Sequence, residues 1–153
     1  MTKSFSFKYD VKSSGWADGE ISNGIQKVEV TASYLHDTLS ELCEMTLDVL
    51  DSATSGKVIF MNEPGEHHLI VTKLNETELS YQLIWYDDWE SWGEISSDLY
   101  TEVISGSCSI SIFKEQVVNA LKEIYTTLGP EIYKKRWIEH DFPENLYKKL
   151  LVA

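Results

Sequence analysis

Basic side chains are scarce in this sequence and unevenly placed. Its 153 residues carry 13 Lys and Arg against 25 Asp and Glu, a formal net charge of −12, and Arg136 is the sole arginine. Binding to nucleic acid or to an anionic membrane needs Lys and Arg to neutralise phosphates, so this balance opposes both. Cysteine is scarce too. Cys43 and Cys108 lie in apolar-patterned segments without C-x-x-C spacing, which favours two buried thiols in a reducing cytoplasm over a disulfide between them. No apolar run reaches the length that spans a bilayer. Lys8, Tyr9 and Asp10 cut short the apolar character of the first residues, so no signal-peptide core is expected and the chain reads as cytoplasmic.

Signatures of chemistry are equally sparse. There is no H-E-x-x-H, no G-x-S-x-G elbow and no P-loop lysine behind the small-residue run Ser105-Gly106-Ser107, so no motif fixes a reaction, a cofactor or a ligand. His67 and His68 are the obvious metal suspects. Neighbours on a strand point to opposite faces, so these two imidazoles would not converge on one ion. His36 and His140 belong to other elements. Neither a metal nor a cofactor is expected, and enzymatic activity is the less favoured reading.

What is present is a well-marked alternation of elements. Phe5, Phe7 and Tyr9 recur at the period of two of a half-buried strand, and a second strand runs from Trp16 to Ile21 after the break at Ser13-Ser14-Gly15. Ser22-Asn23-Gly24 is a turn signal, and Ile25 to Thr31 returns as a third strand. Residues 34–53 follow a helical period, with Leu35, Leu39, Leu42, Cys43, Thr46, Val49, Leu50 and Ala53 on one stripe, Ser33 as the N-cap and Gly56 after the end. Lys57–Met61, His68–Leu74 and Glu78–Tyr86 read as a three-strand meander, turning at Glu63-Pro64-Gly65 and Asn75-Glu76-Thr77. Both faces of the last strand become apolar towards its end, so its final residues are expected to be covered on both sides.

Strand character over Leu99–Ile104 and Gly106–Ile112 precedes a helix over 112–128, which Gly129-Pro130 stops. Two short helices, at 130–139 and 143–151, are expected to close the chain. Adjacent strands joined by short turns pair antiparallel, and helices do not alternate with every strand. The expectation is therefore one α+β domain over residues 1–153. It has a twisted antiparallel sheet of about 5–7 strands, one long helix after the third strand, and C-terminal helices packed mainly on one face.

Charge is segregated along the chain. From Leu74 to Phe113 there is no Lys or Arg, yet there are eight acids: Glu76, Glu78, Asp87, Asp88, Glu90, Glu94, Asp98 and Glu102. Three of the five tryptophans, Trp85, Trp89 and Trp92, fall in the same stretch. A second acidic row, Asp37, Glu41, Glu44, Asp48 and Asp51, lies along the face of the first helix opposite its apolar stripe. Either row is a solvated face or a surface for a basic partner. Lys134, Lys135, Arg136, Lys148 and Lys149 form the basic counterpart, available to the chain's own acids or to a second copy in a homodimer.

Glu63-Pro64-Gly65-Glu66 leading into Ile84-Trp85-Tyr86-Asp87-Asp88, and Leu128-Gly129-Pro130-Glu131-Ile132-Tyr133 with Trp137 and Phe142-Pro143, resemble small bacterial proteins of uncharacterised function. In size, acidity and α+β layout the chain is also similar to immunity proteins that neutralise polymorphic bacterial toxins. That similarity implies an acidic inhibitor presenting carboxylates to a basic toxin, and it transfers no catalytic residue.

The functional expectation is a non-enzymatic protein-binding domain that uses Asp87, Asp88, Trp89, Glu90 and Trp92. The alternative is a small enzyme or ligand-binding domain with its pocket at the Trp85–Glu94 loop, where paired carboxylates beside tryptophans would suit glycosidase-type acid–base work. The exposure of Trp89 and Trp92 separates a functional loop from a structural anchor. Trp85 is expected in the core.

Overall fold

The computed structural model describes residues 3–138 and 140–153. The chain opens with three antiparallel strands, β1 (Ser6–Val11), β2 (Trp16–Ser22) and β3 (Lys27–Ser33), which form a sheet of their own in that order. The β2–β3 turn forms as its sequence suggests. Asn23 Oδ1 accepts from the backbone N–H groups of Ile25 and Gln26 at 3.0 and 2.9 Å, and Gly24 takes a φ of 90°. Register places Phe7 opposite Ile21 and Val30 opposite Gly19, so one face of this sheet is apolar.

Helix α1 (Thr38–Asp51) follows β3 and starts later than its sequence pattern implies. Residues 34–37 turn instead, because the Tyr34 N–H is taken by the Gly15 carbonyl at 2.8 Å and the His36 N–H by the Ser33 carbonyl at 3.2 Å. Ser33 therefore caps no helix; its hydroxyl accepts from the Leu35 N–H at 3.3 Å inside this turn, and Asp37 occupies the N-cap position. Leu35, assigned above to the apolar stripe, is exposed ahead of the helix. Of the rest of the stripe, Leu39, Leu42, Cys43, Thr46 and Val49 are buried and Leu50 is half-buried, while the helix ends at Asp51, before Ala53.

The second sheet is β4 (Ser55–Met61), β5 (Glu66–Lys73), β6 (Glu78–Tyr86) and β7 (Thr101–Ser109), antiparallel throughout and ordered β4-β5-β6-β7. Among the described residues the strands total seven, the upper end of the expected range, but they divide into two sheets of three and four rather than one. Leu99–Ile104 and Gly106–Ile112 merge into the single strand β7, with a register shift opposite Leu83 and Ile84. On β4's outer side, the Ile59 N–H donates to Glu41 Oε1 at 2.6 Å and the Thr38 hydroxyl donates to the Ile59 carbonyl at 2.9 Å, so α1 is stitched to that strand by side chains.

Helices α2 (Ile110–Thr127), α3 (Gly129–Trp137) and α4 (Glu144–Val152) complete the fold. Ser109 caps α2, accepting from the Ile112 N–H at 3.1 Å, which starts that helix two residues before the sequence suggests. At 18 residues it exceeds the 14 of α1, so the long helix after the third strand is not the longest. Glu139, the expected end of the third helix, lies outside the described residues.

One apolar cluster unites both sheets and all four helices, including Phe7, Ile21, Leu42, Phe60, Leu83, Phe113, Leu121, Trp137 and Leu150. Phe5 packs against Tyr81 and Phe113 at ring-centroid distances of 5.0 and 4.8 Å, and Phe7 against Phe60 at 6.2 Å. Side chains of this size contribute about 1.5–3 kcal/mol each on full burial, so the cluster is the main source of cohesion. Cys43 and Cys108 are buried free thiols. Burial pushes them up to about 12 and about 11 respectively. No helix among the described residues is long and apolar enough to cross a membrane.

Candidate functional site

Alternation along the second sheet sends Phe60, Leu69 and Leu83 to the main core and sends Ile59, Met61, Glu66, His68, Ile84 and Tyr86 to its other face. All six of these outer residues are nevertheless buried. Residues 87–100, which leave the end of β6 and return into β7, reach this face at Glu66, His68 and Tyr86. This is why both faces of β6 become apolar towards Tyr86.

Three anchors and one internal turn hold the covering loop. The Tyr86 hydroxyl donates to the Ser97 carbonyl at 2.7 Å, and the Trp89 indole N–H donates to the Asn62 carbonyl at 2.7 Å. Asp88 turns the chain by accepting from the Trp89 N–H at 2.8 Å. The last anchor ends on a fully buried carboxylate: in the 3-10 turn Glu90–Trp92, Ser91 donates to Glu66 through its backbone N–H at 3.1 Å and its hydroxyl at 2.8 Å.

Glu66 itself is 0% exposed, and His68, two residues on and on the same face, is 2% exposed. Their side chains are hydrogen-bonded, His68 Nε2 to Glu66 Oε2. Glu90 Oε2 lies 3.9 Å from the same His68 nitrogen. Burial pushes the Glu66 carboxyl up, but the hydrogen bonds from His68 and Ser91 outweigh it and hold it below the ordinary carboxylate range. Of this group, His68 and Glu90 were singled out from sequence, in separate roles, and Glu66 was not. The Glu-x-His spacing on a strand, which puts both side chains on one face, is the signal that could have found half of it. As expected, His67 points to the opposite face from His68. Its ring packs on Trp85 at 4.7 Å, and burial, reinforced by His68, lowers its pKa to about 4.

The tryptophans separate into three environments. Trp85 is half-buried rather than a core residue: it sits at the strand end beyond Leu83, its indole N–H donates to Asp87 Oδ1 at 2.8 Å, and its ring lies over Gly65. Gly65 has a φ of +87°, and a Cβ there would meet the Trp85 ring at 2.4 Å, so this turn position needs glycine twice over. The Glu63–Pro64 peptide beside it is cis. Trp89 is half-buried, and Trp92, 51% exposed, stands edge-on to it at a centroid distance of 4.7 Å. Leu99 and Tyr100 are also exposed, and Tyr100 touches the Tyr86 ring at 6.1 Å. Around them Asp87, Glu94, Asp98 and Glu102 are exposed, while Asp88 and Glu90 are half-buried.

The second acidic row is broken by the fold. Asp37 and Glu41 are half-buried and engaged: Glu41 accepts from Ile59 and lies 3.0 Å from His36, and Asp37 lies 3.7 Å from His140. Only Glu44, Asp48 and Asp51 remain an exposed ridge. Three members of the basic counterpart are engaged within the chain, while Lys135 and Lys149 are exposed. Lys134 pairs with Asp141 at 2.9 Å, Lys148 lies 3.7 Å from Glu144, and Arg136 donates to the Val11 carbonyl at 3.1 Å.

Open concavities lie away from the loop. One of about 800 Å³ is bordered by Asp37, Glu44, Lys134, His140 and Pro143, and one of about 690 Å³ runs between β1–β3 and α2. In comparisons with protein-family models, curated proteins and solved structures, nothing matches the chain.

Proposed function

We propose that the chain is a non-enzymatic protein-binding domain that captures a basic partner on the acidic aromatic loop, in the manner of an inhibitor that neutralises a basic toxin. The observation that carries this reading is Trp92. It is a large apolar side chain held half out of the protein, on a loop pinned to the sheet and ringed by carboxylates with no Lys or Arg from Leu74 to Phe113. Exposed aromatics are typical binding anchors, and a rigid base spends little ordering entropy when a partner arrives. The surrounding carboxylates would steer a cationic surface and lose that effect as salt rises.

The enzymatic alternative finds less support. Asp87 is exposed and committed to the Trp85 indole, and Asp88 is spent on the Trp89 N–H. Neither is a buried carboxylate facing a cavity. The immobilised chain should retain a basic protein at low salt and release it at high salt. Trp92→Ala and Glu94→Lys, both at exposed positions, should each weaken the purified complex at least about tenfold. Capture that survives high salt, or that both variants leave intact, would remove this reading.

A further inference from the structure

Beneath the loop, we infer that Glu66, His68 and Glu90 form a binding site for one divalent transition-metal cation of the zinc class. One atom from each residue, His68 Nε2 and a carboxylate oxygen of each glutamate, lies within 4.8 Å of the other two. An imidazole nitrogen and carboxylate oxygens are the ligand types that zinc and its neighbours accept, and three protein ligands leave a position for water.

Three observations favour a cation over a plain hydrogen-bonded pair. The first is proton count: His68 Nε2 carries at most one hydrogen, but it faces Glu66 in hydrogen-bond contact and Glu90 at 3.9 Å. One proton cannot bridge both carboxylates, whereas a dication can be bound by all three groups together. The second is charge. Two carboxylates beside one imidazole leave a net negative charge even if the imidazole is protonated, in a place where Glu66 and His68 are 0% and 2% exposed. Holding net charge beneath the loop is costly even where hydrogen bonds offset part of it, and a dication makes the set neutral. The third is support: Ser91 fixes the Glu66 carboxylate through two hydrogen bonds, the kind of outer partner that orients a metal ligand. Glu90, 21% exposed at its side chain, provides the solvent-facing side through which an ion would enter.

The site goes beyond protein binding and does not depend on it. Its test uses the full-length chain, stripped with a chelator and titrated with cobalt(II) and zinc(II) chlorides against magnesium and calcium chlorides at physiological salt. The expected result is uptake of one cobalt(II) per chain with a visible absorption band, displacement by zinc(II), and no competition from equimolar magnesium or calcium. Glu90→Gln leaves the Glu66–His68 pair in place, and His68→Gln keeps a polar side chain there. Each should weaken zinc(II) binding at least about tenfold while the far-ultraviolet circular dichroism stays native. Absence of stoichiometric uptake, uptake that either variant leaves unchanged, or a preference for magnesium or calcium would overturn the assignment.

Discussion

Ser91 holds Glu66 with both its backbone N–H and its hydroxyl, at 3.1 and 2.8 Å, and so ties the tip of the acidic loop to a fully buried carboxylate on β5. The partners are 25 residues apart in sequence, and the exposed Trp92 is the next residue along. The presentation of that indole is therefore set by a buried contact on its neighbour.

Removing one arm of this contact should loosen the loop before it unfolds the protein. Ser91→Ala deletes the hydroxyl donor to a buried, hydrogen-bonded carboxylate, a change that costs about 1–3 kcal/mol. Urea unfolding should show that loss in the midpoint. Limited proteolysis should cut within residues 87–100 faster in the variant, and equal cleavage rates would show that Ser91 does not restrain the loop.

Gly65 should tolerate no side chain. In Gly65→Ala the new methyl would meet the Trp85 ring at 2.4 Å at a φ of +87°, combining overlap with an unfavourable backbone region. Strain at such a position is worth about 1–3 kcal/mol before any repacking. Thermal unfolding should register it as a clear drop in Tm. The Trp85→Ala/Gly65→Ala pair should recover part of that drop, because it removes the overlap with the ring and leaves the backbone cost and the 2.9 Å approach to the Tyr86 carbonyl oxygen.

His67 predicts a pH dependence of definite sign. Its folded pKa is lowered from 6.5 to about 4 by burial and then by His68, so the unfolded chain binds the proton more readily. Stability that is intact at neutral pH should fall as pH drops from about 6.5 towards 4, by at most about 3 kcal/mol from this group, with no further loss from it below. Denaturant midpoints measured across that range, compared with His67→Gln, isolate the contribution. A variant with the same slope as the parent would place the effect elsewhere.

On α1, Glu44, Asp48 and Asp51 stay exposed at helical spacing with no base in the last turn. Asp48→Lys turns a repulsive i,i+4 pair with Glu44 into an attractive one and places a cation near the helix C-terminus. It should stabilise the protein by about 0.5–1 kcal/mol. Glu41→Ala, two turns earlier, should instead destabilise it by about 1–3 kcal/mol by leaving the backbone N–H of the buried Ile59 without its acceptor. Opposite signs from two members of one acidic row would show by chemical denaturation that the row is two different things.

That row also marks where sequence reading stops. Its spacing shows which side chains share a face, but not that the helix start leans on β4 and draws Asp37 and Glu41 inward. Strands were legible from alternation, and the Asn23-Gly24 turn from its chemistry. Their division into two sheets was not, since alternation tells inside from outside and says nothing about which strands pair after an intervening helix. Trp85 looked like core because it continues the Leu79, Tyr81, Leu83 series. The series simply outruns the core, and the indole ends over Gly65 beside Asp87. At the loop, composition revealed the acids and aromatics. The Glu66–His68–Glu90 cluster needed a chain reversal of more than 20 residues that no local pattern encodes.

The stitching of α1 to β4 carries a further consequence. An outermost strand with free backbone groups is a template on which another chain can extend the sheet, the usual first step towards aggregation. At Ile59 both outward-facing groups are already occupied, the N–H by Glu41 and the carbonyl by Thr38. The helix that completes the core thus also closes the middle of this edge to a second molecule, and losing either side chain would expose it to self-association.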